Sequence, residues 1–357
     1  MKKIKIYGIT NTESIDSEYQ IIHNTFSNNI GNNLFNSAVY KSLDWNVCET
    51  VDTVSECDYY CLVLANAFSI YFQSQLDILT DNIKNYKKKT VVIGGGIHHS
   101  HELSDISLCE SVKKFANAVL NTGGLIGVRG NISFSFFKET LGIKDNIFNI
   151  GCPSMRYYGK DIPKQKKYKK YNNDLKIATN FTPFGDSNEL ASFFDRIWRS
   201  CPNSFVLFQD QCEGLLLLEG KETPDNRIRE LYPCYKQHFM VRHGRCRIKP
   251  VIHEWIGMLN SFDFSIGSRI HGCVAAILAG IPALLIAIDE RQVEIAQYYH
   301  IPYIRRDIIR RDTPLSALYE YACENMHEIY EYYPHTLKKY KEFFELNGLP
   351  VNEEFLN

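Results

Sequence analysis

The chain has 357 residues, 40 Lys and Arg against 41 Asp and Glu, and a formal net charge of −1. At roughly 150 residues per domain that length predicts about two domains, and 45% hydrophobic with 23% charged residues is the balance of a globular protein. A near-neutral charge gives no bulk attraction to nucleic acid, no apolar run approaches the roughly 20 residues that cross a bilayer, and the opening MKKIKIYGIT lacks the apolar block of a signal peptide.

That opening reads as a first strand, Ile4–Ile9, and the expected location is cytoplasmic. The eleven cysteines are scattered, odd in number and never paired at the spacing of a zinc or redox motif, so they are expected to be plain thiols. Further strands are predicted at Tyr59–Ala65, Thr90–Ile93, Leu125–Val128 and Ile147–Ile150, where short runs rich in Val, Ile and aromatics occur. Between them, helices are predicted at Asn32–Leu43, Gln75–Tyr86, Asp105–Asn121 and Ile132–Leu141. The first of these is only moderately periodic, because Ser37, Tyr40 and Lys41 interrupt its apolar face. Asn131 is placed to cap the fourth, and Gly142 to end it.

From Lys160 to Lys176 the chain reads KDIPKQKKYKKYNNDLK, with seven lysines and no apolar periodicity. This is read as a solvated linker between two domains, with an electrostatic foot on the inner face of an anionic membrane as the functional alternative. The expected division is 1–160 for the first domain, 174–312 for the second, and C-terminal helices from 313–357 packing back on the first. In the second half, strands are predicted at Leu175–Thr179, Ser204–Phe208, Phe262–Ile266 and Ala283–Ile288, and helices at Ser187–Arg199, His253–Asn260, Ile270–Ala279 and Arg291–Tyr299. Asp186, Ser187 and Glu189 resemble a helix start, Gln209 to Arg247 is read as loops and short helices, and Pro314 to Leu346 as two terminal helices. Strands alternating with helices predict two doubly wound parallel sheets, which collect ligands at the carboxyl ends of their strands.

The densest chemical signal is Phe262-Asp263-Phe264-Ser265-Ile266-Gly267-Ser268-Arg269-Ile270-His271-Gly272, running into CVAAILAGIPALLIAI. A strand, a Gly-Ser turn and a helix with Ile270, Val274 and Ile277 on one side put Ser268, Arg269 and His271 at a helix amino end, where amide groups and the dipole favour an anion. Arg269 adds a planar fork suited to phosphate or carboxylate. A His in a first helical turn is disfavoured when charged, so the ring of His271 is expected to be neutral and able to act as a base. The alternatives are a local hydrogen bond for His271 and an internal ion pair for Arg269.

These residues resemble the polysaccharide pyruvyl transferases. The resemblance lies in Ser268-Arg269-Ile270-His271-Gly272, the small residues Ala275 to Ala279, Gly280-Ile281-Pro282, the strand Ala283 to Ile288 and Asp289-Glu290-Arg291. A second match is Gly127-Val128-Arg129-Gly130-Asn131 with Ser133 and Ser135, then Leu141-Gly142-Ile143 and Gly151-Cys152-Pro153-Ser154. The resemblance implies two Rossmann-like domains facing a cleft in the manner of GT-B glycosyltransferases. It also implies phosphoenolpyruvate as donor with no further cofactor, and a pyruvate ketal formed on two hydroxyls of a sugar, an oligosaccharide or a lipid-linked precursor of a bacterial surface polysaccharide or capsule. On that basis His271 and Arg269 are the candidate catalytic residues, Arg129 a second anion clamp from the first domain, and Ser268, Gly272 and Arg291 further substrate contacts.

The family's early glycine run is displaced here. Tyr59–Leu64 ends in Ala65-Asn66-Ala67-Phe68, and Gly94-Gly95-Gly96 follows the next strand instead, as a candidate backbone contact with substrate. His98, His99 and His101 beside Glu102 lack a second cluster at ligand spacing, so no metal is expected, and His98 is read as a sugar contact. Asn29-Ile30-Gly31-Asn32 is a candidate substrate turn, with capping by Asn32 or Asn33 as the alternative. Two rival functions remain at this level. One is a GT-B glycosyltransferase using a nucleotide sugar, with Glu254 or Glu290 on the ribose; the other is a sugar-binding assembly protein without catalysis.

Overall fold

A computed structural model of the chain describes residues 1–8, 18–24, 29–98, 100–182, 188–222 and 231–357. His99, Asp186, Ser187 and the end of the first predicted strand at Ile9 lie outside the described residues, as does the side chain of His101.

The described residues form two six-stranded sheets, parallel throughout. The first contains β1 (Lys2–Tyr7), β2 (Cys48–Thr50), β3 (Tyr59–Val63), β4 (Lys89–Gly95), β5 (Ile126–Val128) and β6 (Ile147–Asn149), in the order β2-β1-β3-β4-β5-β6. The second contains β7 (Ile177–Asn180), β8 (Ser204–Leu207), β9 (Cys246–Arg247), β10 (Phe264–Gly267), β11 (Ala283–Ala287) and β12 (Tyr303–Arg305), in the order β12-β11-β10-β7-β8-β9. Strands such as Ala283–Ala287 are buried at every position, which is why they read as unbroken apolar runs rather than as alternating ones. The expected fold class, two Rossmann-like halves facing a cleft, is what the structure shows.

Strand order reverses between β1 and β3 in the first sheet and between β7 and β10 in the second. Each reversal sends neighbouring connections to opposite faces and leaves a crevice at the strands' carboxyl ends. In the second sheet that crevice is bounded by Asn180 to Thr182 and by Gly267 to Arg269; in the first it is bounded by Ala65 and Asn66.

Helix Gly31–Lys41 explains its weak periodicity by its position. Asn33, Asn36 and Ser37 are buried along with Leu34, Phe35, Ala38 and Val39, because the helix is covered on several sides. Its residues share one core with Ile4, Val63 and Ile93 of the first sheet and with Ile277 and Leu285 of the second half. Helix His327–Leu346 returns to the first half, where Tyr333 Oη donates to the Met155 carbonyl at 3.2 Å and Ser42 Oγ donates to Tyr340 Oη at 3.4 Å.

Several local expectations need correction. Helix Gly31–Lys41 has Ile30 as its N-cap, so neither Asn32 nor Asn33 caps it; the Asn29 side chain instead accepts from Gly31 N–H at 2.8 Å. The helix predicted over Ile132–Leu141 is a short α-helix, Asn131–Ser135, capped by Gly130 rather than Asn131, which widens into a π-turn over Phe136–Thr140. The stretch read as loops and short helices holds helix Gln211–Glu219 and helix Phe239–Arg242, and adds an unexpected strand, β9. Residues 161–172 carry no regular structure; within the lysine-rich stretch Lys166 donates to Asn260, and Lys169 pairs with Asp263 at 2.8 Å. These contacts lie beside the amino ends of β7 and β10, away from the cleft. Among the described residues no helix is long and apolar enough to cross a membrane.

Candidate functional site

The two crevices face each other across a cavity of about 560 Å3. The first half contributes Asn29, Asn32, Ala65, Asn66 and Arg129; the second contributes Thr182, Gln209 to Cys212, Arg269 to His271, Ile288, Arg291, Gln292 and Ile295.

The turn after β10 is held by Asn180 at the end of β7. Ser268 N–H donates to the Asn180 carbonyl at 3.0 Å and Arg269 N–H to its side-chain oxygen at 2.8 Å. Gly272 is required by the same wedge, since a Cβ there would meet the Asn180 and Gln209 amide nitrogens at 2.5 and 2.6 Å. Ser268 is fully buried, its hydroxyl accepting from Thr182 N–H at 2.9 Å and its carbonyl from Gln292 Nε2 at 2.7 Å. Ser268 and Gly272 therefore shape the turn and do not line the cavity. The helix that follows, Ile270–Leu278, has no side chain capping its amino end, and Ile270 and His271 line the cavity there.

Arg269 realises the internal ion pair. Its Nη2 donates to Asp210 Oδ2 at 2.6 Å and to Glu213 Oε1 at 3.0 Å, and its Nε to the Phe181 carbonyl at 2.8 Å. Burial opposes its charge, but the carboxylates of Glu213 and Asp210 outweigh that and hold the guanidinium above its ordinary pKa. Glu213 also accepts from Gln209 N–H and Asp210 N–H at 2.7 and 2.8 Å and from the Tyr232 hydroxyl. Burial raises its pKa, and Arg269 acts in the opposite direction.

His271 is 8% exposed, and its pKa is pushed down to about 3, first by burial and then by the charges of Arg129 and Arg291. The imidazole is therefore neutral at physiological pH. Its Nε2 lies 3.9 Å from Cys152 Sγ, and its ring packs 5.7 Å from that of Phe35.

Arg129 reaches the cavity from the end of β5. Its Nε and Nη2 donate to the Gly94 carbonyl at 3.1 and 2.8 Å, Nη2 also to the Leu64 carbonyl at 3.3 Å, and Nη1 to Asn66 Oδ1 at 3.1 Å. Burial lowers its pKa. This arrangement assigns the glycine run a different part from the one expected. Gly94 and Gly95 belong to β4, and a Cβ on Gly96 would meet the Arg129 side chain at 2.5 Å. None of Gly94, Gly95 and Gly96 lines the cavity; Gly96 makes room for the arginine that does, and the Gly94 carbonyl holds it.

Arg291 pairs with the Asp289 carboxylate through two nitrogens. Burial would raise the pKa of Asp289, and Arg291 more than reverses that. Asn29 lines the cavity and bridges to Asp210. His98 does not line it; its ring lies 5.8 Å from that of Tyr71. The described residues contain no group of three His, Cys, Asp or Glu arranged to hold a metal ion.

Of the residues singled out in the sequence, the fold thus brings Asn29, Arg129, Arg269, His271 and Arg291 to one cavity. Sequence reading missed Asn66, Asn180, Gln209, Asp210, Glu213 and Gln292. The Asp210–Glu213 capping box was a detectable signal, Asp followed three residues later by Glu before an apolar run. The amide nitrogen of Gln209 has no hydrogen-bond partner among the described residues. Glu254 and Glu290, the acids considered for a ribose, pair with Lys249 and Arg305 and do not line the cavity.

Comparison with known structures finds a functionally uncharacterised protein of Klebsiella pneumoniae at 16% identity, covering 77% of this chain and 88% of that one, with a TM-score of 0.44. HepE of Anabaena, solved with UDP and glucose, is 11% identical over 97% of this chain and 99% of its own, with a TM-score of 0.48. Neither likeness bears on the chemistry. No curated protein matches the chain. The family model for polysaccharide pyruvyl transferase matches residues 14–290, well over half the chain, including most strands of both sheets and the Ser268–Gly272 turn; Arg291 lies just beyond it. The chain belongs to the polysaccharide pyruvyl transferase family and is an enzyme of that type.

Proposed function

We propose that the enzyme transfers pyruvate from phosphoenolpyruvate to two hydroxyls of a sugar in a polysaccharide or its precursor, with no cofactor beyond the donor. The methylene carbon of the donor takes a proton while one hydroxyl adds to the adjacent carbon. The second hydroxyl then displaces phosphate from that carbon, leaving a ketal that keeps the carboxylate. Of the two hydroxyl protons one is balanced by the new methyl group, and the other leaves with phosphate.

One observation carries this reading: a neutral, buried imidazole, His271, faces a cavity bracketed by arginines from both halves of the chain. A donor with a phosphate and a carboxylate needs cations and amides around it, and Arg129, Arg291 and the uncapped amino end of helix Ile270–Leu278 offer both. A neutral imidazole accepts a proton from an attacking hydroxyl, and a bound dianion then favours the imidazolium that results. Arg269 takes a different role from the one its fork suggested. Locked between Asp210 and Glu213, it fixes the turn that carries His271 and presents its charge to the cavity edge.

The test is direct. Purified enzyme, phosphoenolpyruvate and candidate acceptor saccharides are mixed, released phosphate is followed, and acceptor products are weighed by mass spectrometry for the ketal increment. Stabilisation by UDP or other nucleotide diphosphates with none by phosphoenolpyruvate would overturn the donor assignment in favour of a glycosyltransferase.

A further inference from the structure

Helix Glu290–Tyr299 belongs to the second half of the chain, yet its residues Glu294, Tyr298 and Tyr299 make hydrogen bonds with the first. Arg291 faces the cavity. One turn on, Glu294 is 1% exposed, and both of its oxygens accept from Ser133 of the other half: Oε2 from Ser133 N–H at 2.9 Å and Oε1 from Ser133 Oγ at 2.8 Å. A turn further, Tyr298 Oη donates to the Asn149 carbonyl at 3.0 Å and Tyr299 Oη to the Cys152 carbonyl at 2.9 Å. Ser133 in turn accepts from Ile97 N–H at 3.2 Å, on the segment just beyond the glycines that cradle Arg129. Gly130 separates Arg129 from this joint, and a Cβ there would strike Glu294 Cγ at 2.6 Å.

Burying a carboxylate is costly unless its oxygens are satisfied, so a fully buried Glu294 with both oxygens committed to Ser133 specifies one register between the halves. The same register decides where Arg129 lies relative to Arg291 and His271. Burial pushes the Glu294 carboxyl up and the Arg129 guanidinium down, and the charge of each offsets part of the shift of the other.

We propose that Glu294 is a positioning residue for the reaction: through its two hydrogen bonds to Ser133 it holds Arg129 of the first half at the distance from Arg291 and His271 that the donor dianion requires. This deepens the donor reading above and rests on it. Glu294 does not touch the donor; it acts through Arg129.

Three variants test the joint. Ser133→Ala removes the hydroxyl without altering charge, Glu294→Asp draws the carboxylate back, and Gly130→Ala pushes Glu294 away while leaving both partners intact; Gly130 has extended backbone, so Ala costs nothing in conformation there. For the variants that keep the wild-type melting temperature within a few degrees, KM for phosphoenolpyruvate is expected to rise about tenfold or more while kcat changes by less than about threefold. Amide exchange over residues 129–135 of the donor-free protein is expected to quicken. A wild-type KM in all folded variants overturns the proposal, as does unchanged exchange across 129–135. Failure of the wild-type enzyme to use phosphoenolpyruvate would overturn the donor reading alone, because the exchange measurement still reports on the joint without any donor.

Discussion

Cys152 Sγ lies 3.9 Å from His271 Nε2, and the contact crosses the seam between the two sheets. The thiol belongs to the turn after β6, where it also accepts from Ser154 Oγ at 3.2 Å, and the imidazole belongs to the turn after β10. The candidate base therefore receives its ring environment from both halves: Phe35 and Cys152 on one side, Arg291 on the other.

That environment makes His271 acid-sensitive in a defined direction. Its folded pKa of about 3 lies below the 6.5 of a free imidazole, so the unfolded chain binds the proton and stability falls as pH drops from 6.5 towards 3. Near pH 5 the loss from this one residue is about 2 kcal/mol, at roughly 1.4 kcal/mol per unit. Urea unfolding of the wild type and of His271→Gln at pH 7.5 and about pH 5 checks this, and the variant is expected to lose less stability on acidification than the wild type by about that amount. Equal losses would show that the ring is protonated without cost in the fold.

The same substitution separates chemistry from folding. His271→Gln is expected to bring ketal formation below detection while phosphoenolpyruvate still raises the melting temperature, because the arginines remain. Turnover within about tenfold of wild type would remove the imidazole from the proton transfer.

Arg269 is expected to answer to stability rather than to donor affinity. Arg269→Ala leaves Glu213 buried beside Asp210 without its counter-charge, a class of change that costs roughly 3–5 kcal/mol. Arg269→Met combined with Glu213→Gln removes both charges and should recover much of that loss in a double-mutant cycle of urea unfolding. Additive losses would mean that the pair is not coupled as its 3.0 Å contact implies.

Arg291 gives the contrasting result. Its side chain is 20% exposed and, among the described residues, pairs with its neighbour Asp289, whose buried carboxylate keeps the Gln292 N–H, so Arg291→Ala should cost less than Arg269→Ala, about 1–3 kcal/mol. Donor KM is expected to rise roughly ten- to a hundredfold, the value of a charge-assisted hydrogen bond. Isothermal titration with phosphoenolpyruvate reads this, and unchanged affinity would exclude Arg291 from the donor site.

Gly272 tests the wedge under the turn. Gly272→Ala drives a methyl group into Asn180 and Gln209, an overpacking expected to cost about 1–3 kcal/mol and to displace the ring of His271 at the start of the same helix. Melting temperature and turnover should fall together; a variant that melts like the wild type would mean the wedge yields without strain.

Sequence alone determined the alternation of strands and helices, because strands buried on both faces, such as Ala283–Ala287, must be continuously apolar, and because glycines such as Gly280 mark helix ends by their left-handed backbone. It also determined that Ser268 to Gly272 form a strand-to-helix turn, since that follows from neighbouring residues. The short edge strands Cys48–Thr50, Cys246–Arg247 and Tyr303–Arg305 escaped notice because two or three residues carry no period. What only the tertiary structure decided is the state of each charge. Arg269 meets Glu213 from 56 residues away, Glu294 meets Ser133 from 161, and His271 meets Cys152 from 119. Ion pairing and burial depend on distances between segments that strand order brings together, and one-dimensional spacing holds no record of those distances.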